Sequence, residues 1–172
     1  MRDLSKKGQR ILVIQKVLAT EVASLNPINR AGNKSQSHQM VDHQQLPTIL
    51  LVEDTEDNRQ MMRKLLEMSG YRVVEATNGE EAVKITQEER PTLILMDLSL
   101  PIIDGLAATR VIRNMPTNRH LPIIAVSAHD TADFHAEALA AGCDAYITKP
   151  IDYPELEELV ERLMFESKTQ PK

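Results

Sequence analysis

The sequence predicts an α/β fold built on a parallel sheet with helices on both faces. Three observations carry that expectation. Five short apolar runs recur near residues 48–53, 71–75, 92–97, 122–127 and 144–148. Segments of helical period separate and follow them, the alternation expected of βαβ units. The runs Ile49-Leu50-Leu51-Val52 and Leu93-Ile94-Leu95-Met96 are apolar without alternation, as strands buried on both faces are.

The elements follow in order. After the first run, Met61, Met62, Leu65, Leu66 and Met68 recur at helical spacing over 57–69, and Gly70 marks the stop. After the second, Asn78-Gly79 leads a helix over 79–89 with Ala82, Val83 and Ile85. After the third, a loop from Leu98 to Asp104 precedes a helix over 105–114 with Leu106, Ala107, Val111 and Ile112. The fourth helix is predicted over 130–141, with Asp130 as N-cap and Gly142 just past its end. The fifth spans 154–166. Pro154 suits its first turn, and Leu156, Leu159, Val160 and Leu163 line one face. No repeat of solenoid period interrupts these five βα units.

Charge divides the 172-residue chain in two. Residues 1–47 carry seven Lys/Arg against three Asp/Glu; residues 48–172 carry thirteen against twenty-two. A globular part this acidic argues against a nucleic-acid-binding surface. The single cysteine, Cys143, forms no internal disulfide and fits a reducing compartment. No apolar stretch approaches the roughly 20 residues of a membrane span. Gln15-Lys16 interrupts the apolar stretch Ile11 to Ile14, which argues against a signal peptide. Residues 26–47 are polar and read as a linker. Upstream, Ile11, Ile14, Leu18, Val22 and Leu25 keep helical spacing. A short amphipathic helix and a weakly ordered tail both stay open there. Met40 begins a stretch that leads directly into the domain, so the first 39 residues are also open to reading as a choice of start site.

The chemistry lies where the apolar runs end. Glu53-Asp54 closes the first, Asp97 the third, Ser127 the fourth and Lys149 the fifth. In an open parallel sheet, that edge is where ligands bind. Each residue alone has a plain explanation: a solvated helix entry, an N-cap, a Lys-Pro turn. Their joint placement on one sheet edge is what points to a site. Three packed carboxylates repel one another, and a divalent cation relieves this. Oxygen-only donors suit Mg²⁺ or Mn²⁺, not zinc. No Cys/His cluster competes; His38, His43, His120 and His129 fall in the predicted tail or loops. The Asp97 carboxylate can attack phosphorus. Lys149 and the Ser127 hydroxyl are placed to hold transferred oxygens.

The motifs are Val52-Glu53-Asp54, Asn58-Arg59, Ala76-Thr77-Asn78-Gly79-Glu80-Glu81-Ala82, Met96-Asp97 through Asp104-Gly105, Ser127-Ala128 and Lys149-Pro150. Over roughly residues 47–167 this set resembles the receiver domain of two-component response regulators. The resemblance implies a doubly wound, flavodoxin-like, five-stranded parallel sheet of order 2-1-3-4-5. It also implies that Asp97 accepts a phosphoryl group. Asp54, Asp97 and the backbone carbonyl of Ser99 would ligate Mg²⁺ (or Mn²⁺), with Glu53 assisting through water. Lys149 and Ser127 would act on the phosphoryl oxygens. The Lys149-Pro150 bond would be cis, and Tyr146 would move with Ser127 as a switch. Leu100-Pro101 replaces the family's usual Met-Pro, and Ser127 its commoner threonine.

These readings divide the chain into an extension and linker (1–47), a receiver domain (48–167) and a tail (168–172). The expected protein is a stand-alone, cytoplasmic phosphoacceptor rather than an enzyme, apart from its own phosphorylation and dephosphorylation. Its expected partners are a histidine kinase or histidine phosphotransfer protein and a downstream protein target, with no nucleic acid and no membrane. The short stretch after Glu166 is too brief for an output domain. Three alternatives stand beside this reading. The chain can be a receiver fragment of a larger hybrid kinase, with 26–47 a remnant linker. A metal-dependent phosphohydrolase would need a second acid two residues past its nucleophile, where Ser99 stands. A binding module with a degenerate site fits poorly with the complete acidic set.

Overall fold

β1 (Thr48–Val52) lies between β2 (Arg72–Ala76) and β3 (Leu93–Asp97), and β4 (Ile123–Ser127) and β5 (Ala145–Thr148) complete the sheet. All four pairings are parallel, and the order is 2-1-3-4-5, as the resemblance implied. This is a computed structural model, and it describes residues 46–169. The expectations for residues 11–25, 26–45 and Met40 lie outside the described residues.

Five helices connect the strands: α1 (Glu56–Met68), α2 (Gly79–Glu89), α3 (Gly105–Arg113), α4 (Ala132–Ala141) and α5 (Tyr153–Thr169). The two-residue strand period sorts the core into two layers. Ile49, Leu51, Leu93, Leu95, Ile124 and Val126 pack with Met62 and Leu66 of α1 and Leu156, Val160 and Leu163 of α5. Leu50, Val52, Ile94, Met96, Ile123 and Ala125 pack with Ala82, Ala108, Ile112 and Ala138 of α2, α3 and α4. Every residue of β3 and β4 is buried, which explains their unbroken apolar runs.

The helix starts have identifiable causes. Asn78 Oδ1 accepts from the Glu81 amide at 2.9 Å, and Asp104 Oδ1 from the Ala107 amide at 2.7 Å. Asp152 Oδ1 does the same for the Glu155 amide at 3.0 Å, a cap the sequence reading missed. The expected Asp130 cap is not formed. α4 begins at Ala132 after Thr131, whose side chain makes no cap bond. Asp130 instead meets the His135 ring, Oδ1 to Nε2 at 3.2 Å. β2 begins one residue later than predicted, because the Tyr71 amide still bonds to Leu66 at the end of α1. α5 runs to Thr169, past the predicted end at 166, and takes in the first residues of the predicted tail.

Register fixes what meets at the carboxyl edge. Val52 pairs with Met96, Asp97 with Val126, and Ser127 with Thr148. Glu53-Asp54, Asp97, Ser127 and Lys149 therefore leave the sheet at one level.

Candidate functional site

Asp97 ends β3 with its side chain 4 % exposed. Its Oδ2 accepts from the Lys149 ammonium at 2.6 Å, and its Oδ1 from the Ser99 amide at 2.8 Å. The same ammonium donates to Glu53 Oε2 at 2.8 Å. Glu53 Oε1 accepts from the Thr55 amide at 3.2 Å and the Asn58 side chain at 3.4 Å. Asp54 is exposed, and Thr55 Oγ1 donates to its Oδ1 at 3.4 Å. Carboxylate oxygens of Glu53, Asp54 and Asp97 all lie within 4.8 Å of one another. The sequence expected mutual repulsion to be relieved by a metal ion; here the single charge of Lys149 pairs with two of the three carboxylates and leaves the trio net negative.

That contact perturbs both partners. Burial alone would raise the Glu53 pKa, but the Lys149 hydrogen bond and charge, helped by Thr55 and Asn58, hold it below its ordinary value. Burial alone would lower Lys149, but its hydrogen bonds to Asp97 and Glu53 and their charges hold it above its ordinary value. The cis Lys149-Pro150 bond turns the chain away just after the ammonium-bearing residue. The Lys149 amide donates to the Ser127 carbonyl at 2.7 Å, tying the β5 end to the β4 end.

Backbone close to Asp97 is crowded. A Cβ at Gly105 would lie 2.2 Å from the Asp97 carbonyl oxygen and 2.8 Å from Leu98 Cα. One at Gly79 would lie 2.3 Å from the Ile103 carbonyl oxygen, to which the Gly79 amide donates at 3.1 Å. Only glycine permits these approaches, so Asn78-Gly79 and Asp104-Gly105 brace the loop after Asp97 from two sides. Within that loop Ile102 takes φ +68° and is 77 % exposed, a left-handed conformation costly for a β-branched residue.

Arg59, the second residue of the Asn58-Arg59 motif, is a buried support of the acidic loop. Its Nη1 donates to the Glu53 carbonyl at 3.0 Å and reaches the Asp54 carbonyl at 3.4 Å. It also pairs with Glu56 and, at 3.4 Å, with Glu75. No residue type in the acidic loop announces it, because its partners there are main-chain carbonyls. Ser127 is 1 % exposed, and its Oγ accepts from the His129 amide at 3.1 Å. Tyr146 is half-buried, and its hydroxyl donates to the His129 carbonyl at 2.6 Å. A cleft of about 520 Å³ opens at Glu53, Asp97 and Lys149, with Met61, Met62, Ile151 and Tyr153 on its apolar side.

Comparison with known proteins agrees with this geometry. The family model of the response regulator receiver domain matches residues 49–161. The chain belongs to that family. The polar-differentiation response regulator DivK of Brucella anthropi is 40 % identical over 113 residues, covering 66 % of this chain and 92 % of DivK. The receiver domain of a sensor histidine kinase from Pseudomonas aeruginosa, solved with magnesium in its active-site cleft, is 37 % identical. Its TM-score is 0.65, over 69 % of this chain and 97 % of that one. The receiver domain of a histidine kinase from Syntrophus aciditrophicus is 32 % identical. Its TM-score is 0.67, over 73 % of this chain and 96 % of that one. Among the described residues, no helix is long and apolar enough to cross a membrane.

Proposed function

We propose that this protein is a cytoplasmic phosphoacceptor in a two-component system. Asp97 takes a phosphoryl group from the phosphohistidine of a histidine kinase or histidine phosphotransfer protein. The N–P bond breaks as an Asp97 carboxylate oxygen bonds to phosphorus, giving an acyl phosphate. The observation that carries this reading is the Lys149 ammonium, shared between buried Asp97 and Glu53 at 2.6 and 2.8 Å. It provides a point charge where a transferred oxygen must arrive.

The donor set fits Mg²⁺ or Mn²⁺. It consists of three clustered carboxylates, one of them exposed, with no sulfur or imidazole among them. Asp54, Asp97 and the Ser99 carbonyl would hold the cation, with Glu53 assisting through water. When bound, the cation offsets charge on the transferred oxygens. This chain's own residues do the rest. Ser127 gives its hydroxyl to a phosphoryl oxygen, which takes it away from the His129 amide. Tyr146 then moves inward, and the surface formed by α4, β5 and α5 changes for a downstream protein. The added charge, about −1.5 to −2, drives that change.

Incubation with acetyl phosphate and Mg²⁺ should add one phosphoryl group, read by intact mass, and Asp97→Asn should abolish it. Unchanged labelling of that variant would refute the assignment. One observation favours a second architecture: both solved relatives described above are receivers of histidine kinases. In that case the domain acts within a hybrid kinase, by the same chemistry. A phosphotransfer profile against the source organism's kinases separates the two.

A further inference from the structure

Arg59 carries a positive charge to the acidic loop, yet among the described contacts it bonds none of the three carboxylates there. Its side chain is 11 % exposed, and all of its nitrogens are engaged. Nη2 pairs with Glu56, and Nε faces Glu75 Oε1 of β2 at 3.4 Å. Nη1 donates to the Glu53 carbonyl at 3.0 Å and reaches the Asp54 carbonyl at 3.4 Å. These carbonyls belong to the peptide units on either side of the Asp54 Cα, so one nitrogen fixes the direction in which the Asp54 side chain leaves the main chain. Glu75 Oε2 accepts from Arg63 Nη1 at 3.0 Å, which holds the second oxygen of that anchor. The next residue of β2, Ala76, accepts the Glu53 amide at 3.1 Å. The Asp54 carboxylate itself has little to orient it. Among the described contacts, only the Thr55 hydroxyl meets it, at 3.4 Å.

We propose that Arg59 is a positioning residue for the cation: it aims Asp54 at the metal position through the main chain, and Glu75 holds Arg59 in place for that task. The proposal rests on the reading of Asp54 and Asp97 as cation ligands. Charge alone argues for the opposite effect. A guanidinium beside the trio repels a divalent cation, so if charge ruled, removing it would tighten binding. The bonding pattern argues for positioning. Lys149 already pairs with Glu53 and Asp97, and a second cation paired with Asp54 would occupy the last carboxylate. Arg59 instead spends its donors on carbonyls and on carboxylates outside the trio, which leaves Asp54 open and aimed. Groups standing behind a metal ligand typically set metal affinity by about 10- to 100-fold.

Titration calorimetry of the full-length protein with MgCl₂ tests this. Arg59→Lys keeps the charge but not the fork and should weaken Mg²⁺ binding about tenfold. Arg59→Gln loses both and should weaken it by about threefold or more, since the relieved repulsion offsets part of the loss. Glu75→Gln leaves the loop's own groups intact and should weaken it about two- to fivefold; it carries the test if the Arg59 variants fold poorly. The losses in Arg59→Lys and Glu75→Gln should persist at about 1 M KCl, where the screening length is about 3 Å. Wild-type affinity in Arg59→Lys at a lowered Tm would leave Arg59 a purely structural role, and tighter binding in Arg59→Gln would give charge the ruling part. Either result overturns the proposal, as do losses that vanish in high salt. A wild-type protein that binds no Mg²⁺ would instead refute the cation reading. The metal-free protein then supplies a second readout. The Thr55 amide donates to Glu53 Oε1 at 3.2 Å, and its hydrogen exchange should be about three- to tenfold faster in Arg59→Lys, relative to the amides of β3. Unchanged relative exchange would mean that Arg59 does not hold the loop, and the proposal would fall on that ground alone.

Discussion

Replacing Lys149 with methionine removes the one side-chain cation bonded to Asp97 and Glu53 among the described contacts. Two carboxylates, 4 % and 8 % exposed, then share a site with Asp54 and have no ammonium between them. Breaking a buried ion pair by removing one partner costs about 3–5 kcal/mol. The Lys149 side chain keeps 24 % exposure, so water screens part of the contact. A carboxyl group can also take up a proton in the variant. The expected loss is therefore about 1–3 kcal/mol at pH 7. For a domain of this size that is a Tm drop of roughly 4–12 °C.

The pH dependence has a definite sign. In the wild-type protein Glu53 is held below its ordinary 4.5, so its stabilising contribution is present above that value and lost as pH falls below it. In the variant, burial acts on Glu53 without Lys149 to oppose it. The deficit should then be largest near pH 7 and shrink as pH falls toward 4.5. Lys149, held above its ordinary 10.5, stabilises the wild type through neutral pH and stops doing so only in strong alkali. Mg²⁺ should restore part of the lost Tm by supplying positive charge to the same oxygens. Calorimetry over pH 4–8, with and without Mg²⁺, reads all of this. A variant as stable as wild type at pH 7, or a deficit that neither acid nor Mg²⁺ relieves, would refute the counter-charge argument.

Asp54→Ala should lower Mg²⁺ affinity by about tenfold or more in titration calorimetry, because Asp97 and one carbonyl hold a hydrated cation poorly. Its metal-free Tm should hold or rise, since Asp54 is exposed and adds negative charge to the trio. Gly105→Ala should cost about 3 kcal/mol or more by denaturant melt, because its Cβ would lie 2.2 Å from the Asp97 carbonyl oxygen. Ile102→Asn should gain about 1 kcal/mol in the same melt by placing a tolerant residue at φ +68°. A loss of stability there would mean the Ile102 side chain makes a contact that outweighs the backbone strain.

The strands were legible because both faces of each inner strand are covered, so their composition alone marks them. Helix ends were less so, for local reasons. Asp130 has the side chain of a good cap, but its carboxylate goes to His135, a contact that no propensity encodes. The last turn of α5 has no apolar period to announce it. Phe165 is 70 % exposed, and Ser167 and Thr169 hydroxyls bond back to the Met164 and Glu166 carbonyls. The site residues were legible as types, because chemistry at a parallel sheet must stand at strand ends. Their pairing was not. That Lys149 reaches both Asp97 and Glu53 depends on Ser127 pairing with Thr148 and Asp97 with Val126, a register set by packing on two faces. Arg59 stayed hidden for a different reason. Its main partners are the carbonyls of Glu53 and Asp54, and every residue has a carbonyl. A side chain that positions a site through the backbone leaves no mark on the sequence of the site it positions.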